Sequence, residues 1–129
     1  MTTTTFTTHK QFANHIITAK GGRRWLLAEN KRHNEYNFGY GHVEFVLRVT
    51  DVVMRVVDRD NLDRSYWEAA YGLSWGVSTG RIAPWIVAEV SKMDTRQLLN
   101  FVYQISVDCA NIGDVPRYVI DWYLSKQAA

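Results

Sequence analysis

Arg32, His33, Glu35, Tyr36, Tyr40, His42 and Glu44 fall within thirteen positions, the densest mixture of titratable and aromatic side chains in the chain. A histidine beside a carboxylate could act as general base, and two histidines with a glutamate could ligate a metal. The spacing argues against both. His33 and His42 lie nine apart, neither belongs to an H-E-x-x-H pair sharing a helical face, and Cys109, alone in the sequence, has no second thiolate to complete a structural zinc site. Solvated histidines on a polar loop are the plainer expectation, and neither a metal nor a cofactor is expected.

A second constellation lies between Tyr66 and Gly80. Trp67, Tyr71 and Trp75 recur every four residues, as do Gly72, Gly76 and Gly80, and no charge follows Glu68. On a helix this spacing lays the rings along one strip and the glycines along the next. The glycine strip admits another backbone or a flat ligand. Glu68, angularly between the strips, could orient a basic or amino-bearing ligand, so Trp67, Glu68, Tyr71 and Trp75 are a candidate pocket; a helical core is the competing expectation.

Other chemistry finds less support. Cys109 has Asp108 beside it and no nearby basic neighbour to lower its pKa, which suits a core thiol. Ser74 lacks the first glycine of a nucleophile elbow, and Gly39 and Gly41 form a Gly-x-Gly without the rest of a phosphate loop. No catalytic residue is therefore assigned, and the balance leans away from an enzyme. A site around Glu68 or around His33 and His42 is kept as the small-ligand or enzymatic alternative.

The basic residues are unevenly placed. Residues 1–60 hold nine Lys and Arg against six Asp and Glu, whereas 61–129 hold six against seven. Most of the excess lies where Lys20, Arg23, Arg24, Lys31 and Arg32 meet only Glu29. Interleaved with Trp25, Tyr36, Phe38 and Tyr40, they could hold a nucleic-acid backbone while the rings stack on bases. The same residue types concentrate at protein-interface hot spots. A net charge of only +2 favours the protein partner over nucleic acid. Arg23, Arg24, Trp25, Arg32, Tyr36, Phe38 and Tyr40 are the expected contacts.

The elements that must position these residues read mainly as helices. Thr8 with Gln11 resembles a capping box before a first helix from about His9 to Lys20, closed by Gly21 and Gly22. The run Trp25 to Leu27 is too short to decide between helix and strand, leaving a short β element open near residues 23–41, and His33 to Gly41 reads as a loop. Val43 to Asp60 is valine-rich, yet Glu44, Arg48, Asp51, Arg55, Asp58 and Arg59 gather on one helical arc opposite Phe45, Val46, Val49, Val52, Val53, Val56 and Val57. Glu44 with Arg48, and Asp51 with Arg55, have the order that stabilises helices by roughly 0.3–0.5 kcal/mol per pair. Asp63 caps the aromatic and glycine helix, Pro84 opens a short one, Asp94 with Gln97 caps another to about Asn111, and Pro116 lies in the first turn of the last. That last helix is too apolar along Tyr118, Val119, Ile120 and Trp122 to read DNA.

The expectation is thus a single-domain, mainly α bundle of about six helices over residues 9–129, behind a disordered tail of residues 1–8. One cysteine and a start lacking the features of a secretion signal make the cytoplasm the default, and no stretch is apolar enough for a membrane span. Spare aromatics and the glycine groove leave self-pairing into a homo-oligomer open. The function expected is that of a small non-catalytic binding protein occupying a surface of a larger partner, in an inhibitory or regulatory role. Nucleic-acid binding through residues 20–42 is the alternative.

Overall fold

The computed structural model describes residues 3–35 and 41–128. Seven α-helices follow one another: α1 (His9–Lys20), α2 (Arg23–Glu35), α3 (Gly41–Asp60), α4 (Arg64–Ser78), α5 (Pro84–Val90), α6 (Thr95–Asp108) and α7 (Val115–Ala128), with a 3-10 turn at Ile112–Asp114 before the last. The helix beyond the expected six is α2. It takes in His33 to Glu35, expected in a loop, and leaves no β element over 23–35. Trp25, Glu29 and Arg32 recur at helical spacing, a periodicity hidden by the brevity of the apolar run. Residues 36–40, including the expected contacts Tyr36, Phe38 and Tyr40, lie outside the described residues.

The helix ends carry the expected chemistry, with one variation. Thr8 Oγ1 accepts the Gln11 N–H at 3.2 Å, but Gln11 Oε1 returns to the Thr7 N–H at 3.0 Å, one residue before the cap. The Asp94–Gln97 box closes reciprocally. Asp63 caps α4 by accepting the Ser65 N–H at 2.9 Å. Gly21 and Gly22, at φ 146° and 72°, turn the chain sharply enough for both amides to reach the Ile17 carbonyl, a conformation that suits glycine.

The N-terminal stretch departs from the expected disordered tail. Thr4 pairs in parallel with Leu62, and the Thr4 carbonyl accepts the Asp63 N–H at 2.8 Å. Two buried tyrosines then hold Phe6. Its N–H donates to the Tyr66 hydroxyl at 2.7 Å, and its carbonyl accepts from the Tyr103 hydroxyl at 3.0 Å. A tyrosine in a core needs a partner for its polar end, and the tail supplies both.

One continuous core runs through the bundle. The most extensive pairing is that of α3 with α4; α1 and α6 close the core on another side. Phe12, Ile16, Val46, Val49, Val53, Leu73, Leu98 and Ile105 are almost completely buried, whereas Glu44, Asp51, Arg55, Asp58 and Arg59 point outward from α3. Helical wheel geometry therefore overrides the strand propensity of the valines. Gly72 and Gly76 receive the neighbouring chain. A Cβ on Gly72 would stand 2.6 Å from Val115 Cγ2, and one on Gly76 would stand 2.7 Å from Ile82 Cδ1. The groove is filled from within. Among the described residues, no helix is long and apolar enough to cross a membrane.

Candidate functional site

Helix α2 is attached differently from the others. None of its residues is fully buried; Trp25 and Leu26 lie half-buried against the core, and polar contacts secure the rest. Glu29 forms an ion pair with Arg48 of α3. Asn30 Oδ1 accepts the Thr95 N–H at 3.0 Å, so a side chain of α2 satisfies an amide in the first turn of α6. The His33 ring stacks on Phe45, with centroids 3.9 Å apart.

The Glu29–Arg48 pair replaces one expected within α3. Glu44 is exposed, so an ion pair from it to Arg48 would be screened, whereas the Glu29 side chain is only 13% exposed and its carboxylate needs a counter-charge. Arg48 follows the greater need. The other expected pair forms, with Arg55 Nε donating to Asp51 Oδ2 at 2.8 Å.

The cations divide sharply along the chain. Every Lys and Arg from Arg48 onward has a partner: carboxylates for Arg48, Arg55, Arg59, Arg64, Lys92, Arg117 and Lys126, the Asn14 amide for Arg96, and the Trp75 ring for Arg81. Among the described residues, Lys10, Lys20, Arg23, Arg24, Lys31 and Arg32 make no ion pair and no side-chain hydrogen bond. Five of these six lie at the end of α1 or on α2.

Between α2 and α3 lies a cavity of about 310 Å³ lined by Lys20, Trp25, Arg32, Val49 and Val52, with the paired Glu29, Arg48 and Asp51 completing it. Of the expected contacts, Trp25 and Arg32 line this groove; Arg23 and Arg24 are exposed on the same helix. Lys20 belongs to the basic cluster visible in the sequence but not to the expected contacts, and Val49 and Val52 are expected only as core. The two-glycine turn that brings the end of α1 beside the start of α2 is the sequence signal that points to Lys20.

The aromatic ridge of α4 is arranged as a surface ladder. Trp67 and Tyr71 stack at 5.0 Å with planes 6° apart, Arg64 covers Trp67 at 3.9 Å, and Arg81 covers Trp75 at 4.7 Å. Glu68 lines a separate crevice with Ala69, Ile105 and Ile112, whose volume of about 10 Å³ admits at most one water. Of the four candidate pocket residues, Glu68 faces this crevice, while Trp67, Tyr71 and Trp75 form the ladder with Arg64 and Arg81.

His33 and His42 do meet, at the C-terminal end of α5. Ser91 Oγ donates to the Ala88 carbonyl at 2.9 Å, leaving its lone pairs for His42 Nδ1, also at 2.9 Å. A serine activated for attack would donate to the histidine instead, and Ser91 is 2% exposed. Burial pushes the His33 imidazole below its ordinary value; the Ser91 carbonyl opposes this and neighbouring His42 adds to it. Burial likewise raises the Cys109 thiol, away from a reactive thiolate. Among the described residues, no three His, Cys, Asp or Glu side chains converge as metal ligands would. A hollow of about 560 Å³ lined by Lys92, Phe101 and Lys126 is larger than the α2 groove, but both its lysines are engaged by Glu89.

Comparison of the chain with protein-family models, curated proteins and solved structures finds no match.

Proposed function

We propose that this protein is a non-catalytic binding protein that occupies a surface of a larger macromolecule, most directly a protein, in an inhibitory or regulatory role. Its contact surface is α2 with the adjoining end of α1. The observation carrying this reading is the contrast in pairing: five cations gathered at one edge form no ion pair among the described residues, while every cation from Arg48 onward is engaged. Like charges held on one edge repel, and docking against a surface of opposite sign relieves that repulsion while speeding encounter. Half-buried Trp25 and exposed Arg32 are residue types that carry binding energy at protein interfaces.

Acidic groups within the same region favour a protein over a nucleic acid. Glu29 and Asp51 line the groove and Glu35 ends α2, so a dense run of phosphates would meet carboxylates as well as cations. Affinity capture from the native host tests the reading, using the full chain beside an Arg24→Glu/Arg32→Glu variant. The expected result is a protein retained by the natural chain and lost with the variant. Identical proteins on both, or only nuclease-sensitive material, would overturn it.

A further inference from the structure

Resting on that reading, we propose that the groove between α2 and α3 receives an acidic peptide segment of the partner, inserting one large apolar side chain while flanking carboxylates bind Lys20 and Arg32. The groove has the two chemistries this occupant needs. Val49, Val52 and Trp25 supply apolar surface, and Lys20 and Arg32 are the lining cations without an ion-pair partner among the described residues. Arg48 is committed to Glu29, and Asp51 to Arg55. Lysine gives a mobile point charge, whereas Arg32 can hold a carboxylate through two parallel N–H groups.

Size and sign narrow the occupant further. A cavity of about 310 Å³ lies at the small end of the range for ligand sites, enough for an anchor side chain rather than a whole extended ligand. Because Lys20 and Arg32 are the two lining cations without an ion pair among the described residues, the favoured anion carries few, spaced charges. Carboxylates alternating with an apolar residue satisfy this; contiguous phosphates bring more charge than two cations neutralise. The anchor desolvates the groove, which strengthens the carboxylate contacts around it.

Selection of short random displayed peptides on the immobilised full chain tests this directly, whatever the natural partner is. Enriched peptides are expected to combine Asp or Glu with one Phe, Leu or Trp, and to bind about tenfold more weakly to Arg32→Glu and to Lys20→Glu chains. Val52→Lys separates anchor from charge. It is expected to weaken binding by a similar factor despite adding a positive charge, whereas attraction by charge alone would make it bind more tightly. Arg117→Glu, on α7, which packs against α4 and α5, is expected to leave binding unchanged, and thermal unfolding of each variant establishes that it is folded.

Failure to enrich peptides, enrichment of peptides without acids, or indifference to all three groove substitutions would overturn the proposal. So would tight, steeply salt-dependent binding of a single-stranded thymidine oligonucleotide that Arg32→Glu abolishes. If host capture still yields a protein lost with the Arg24→Glu/Arg32→Glu variant while peptide selection fails, the binding surface stands and the acidic peptide does not. If capture is insensitive to that variant, the surface itself is wrong.

Discussion

The α2 edge and the α3–α4–α6 body solve the same problem in different ways. In the body, buried side chains hold the helices together, and charge is neutralised locally, as where Arg59 and His15 both donate to Asp60. At the edge, a helix with no fully buried residue is fastened by an ion pair, a borrowed amide cap and a stacked histidine, while its other cations remain without ion-pair partners among the described residues. The contrast supports the proposed contact surface, a charged edge carried on a rigid platform.

The largest expected effect lies in the body. Phe12 is completely buried against Tyr66 and Tyr103, and Phe12→Ala is expected to destabilise the fold by about 3–5 kcal/mol in chemical denaturation. A smaller loss from Phe12 than from Trp25→Ala would erase the distinction between regions. Gly72→Ala comes next. An ordinary helical glycine replaced by alanine gains about 1 kcal/mol, but Val115 at 2.6 Å makes this a loss of about 1–3 kcal/mol. The sign of the change in melting temperature decides between them.

At the junction, Arg48→Ala strands the mostly buried Glu29 carboxylate and is expected to cost about 1–3 kcal/mol, with faster hydrogen exchange concentrated in α2. Uniform acceleration through α3 and α4 would mean that α2 is an integral part of the body.

Acid sharpens the comparison because the regions titrate in different windows. Burial lowers His33, so the folded chain binds fewer protons there, and its contribution is full above the ordinary histidine value of 6.5 and falls as pH drops below it. His42 and the Ser91 carbonyl face the ring from α3 and the end of α5. Hydrogen bonds from Arg59, then from His15, hold Asp60 down to about 2, so its contribution is present above about 3.8 and is lost as pH falls toward 2. Protection of the α2 amides, taken relative to the intrinsic exchange rate at each pH, is therefore expected to fall in mild acid, before the body loosens. His33→Gln should remove the first effect, and Asp60→Asn part of the second.

Smallest of all is the stability change on reversing Arg23 and Arg24, which have no ion-pair partner among the described residues; it is expected to stay within about 0.5 kcal/mol. A larger destabilisation would give these residues a structural role.

Much of the body was legible because its signals are local and periodic. Val46, Val49, Val53 and Val57 declare the inner face of α3 by spacing alone, and Asp63, Pro84 and Asp94 mark helix starts through chemistry confined to one turn. The edge was harder to read. That Asn30 caps α6 depends on a contact across 65 residues, and Glu29 takes Arg48 from Glu44 because of burial that no linear pattern records. The glycine strip was visible as a groove, but only packing reveals that Val115 and Ile82 occupy it. The basic cluster was visible in the sequence, and the groove it borders was not, because Val49 and Val52 come from a helix whose apolar face reads as core.

The most direct test compares hydrogen exchange of the full chain alone and with its captured partner. New protection is expected over residues 20–32 and 48–52, with the α4 ridge from Trp67 to Trp75 unchanged. Protection centred on that ridge, or on α5 and α7, with residues 20–32 exchanging as in the free chain, would contradict the proposed contact surface.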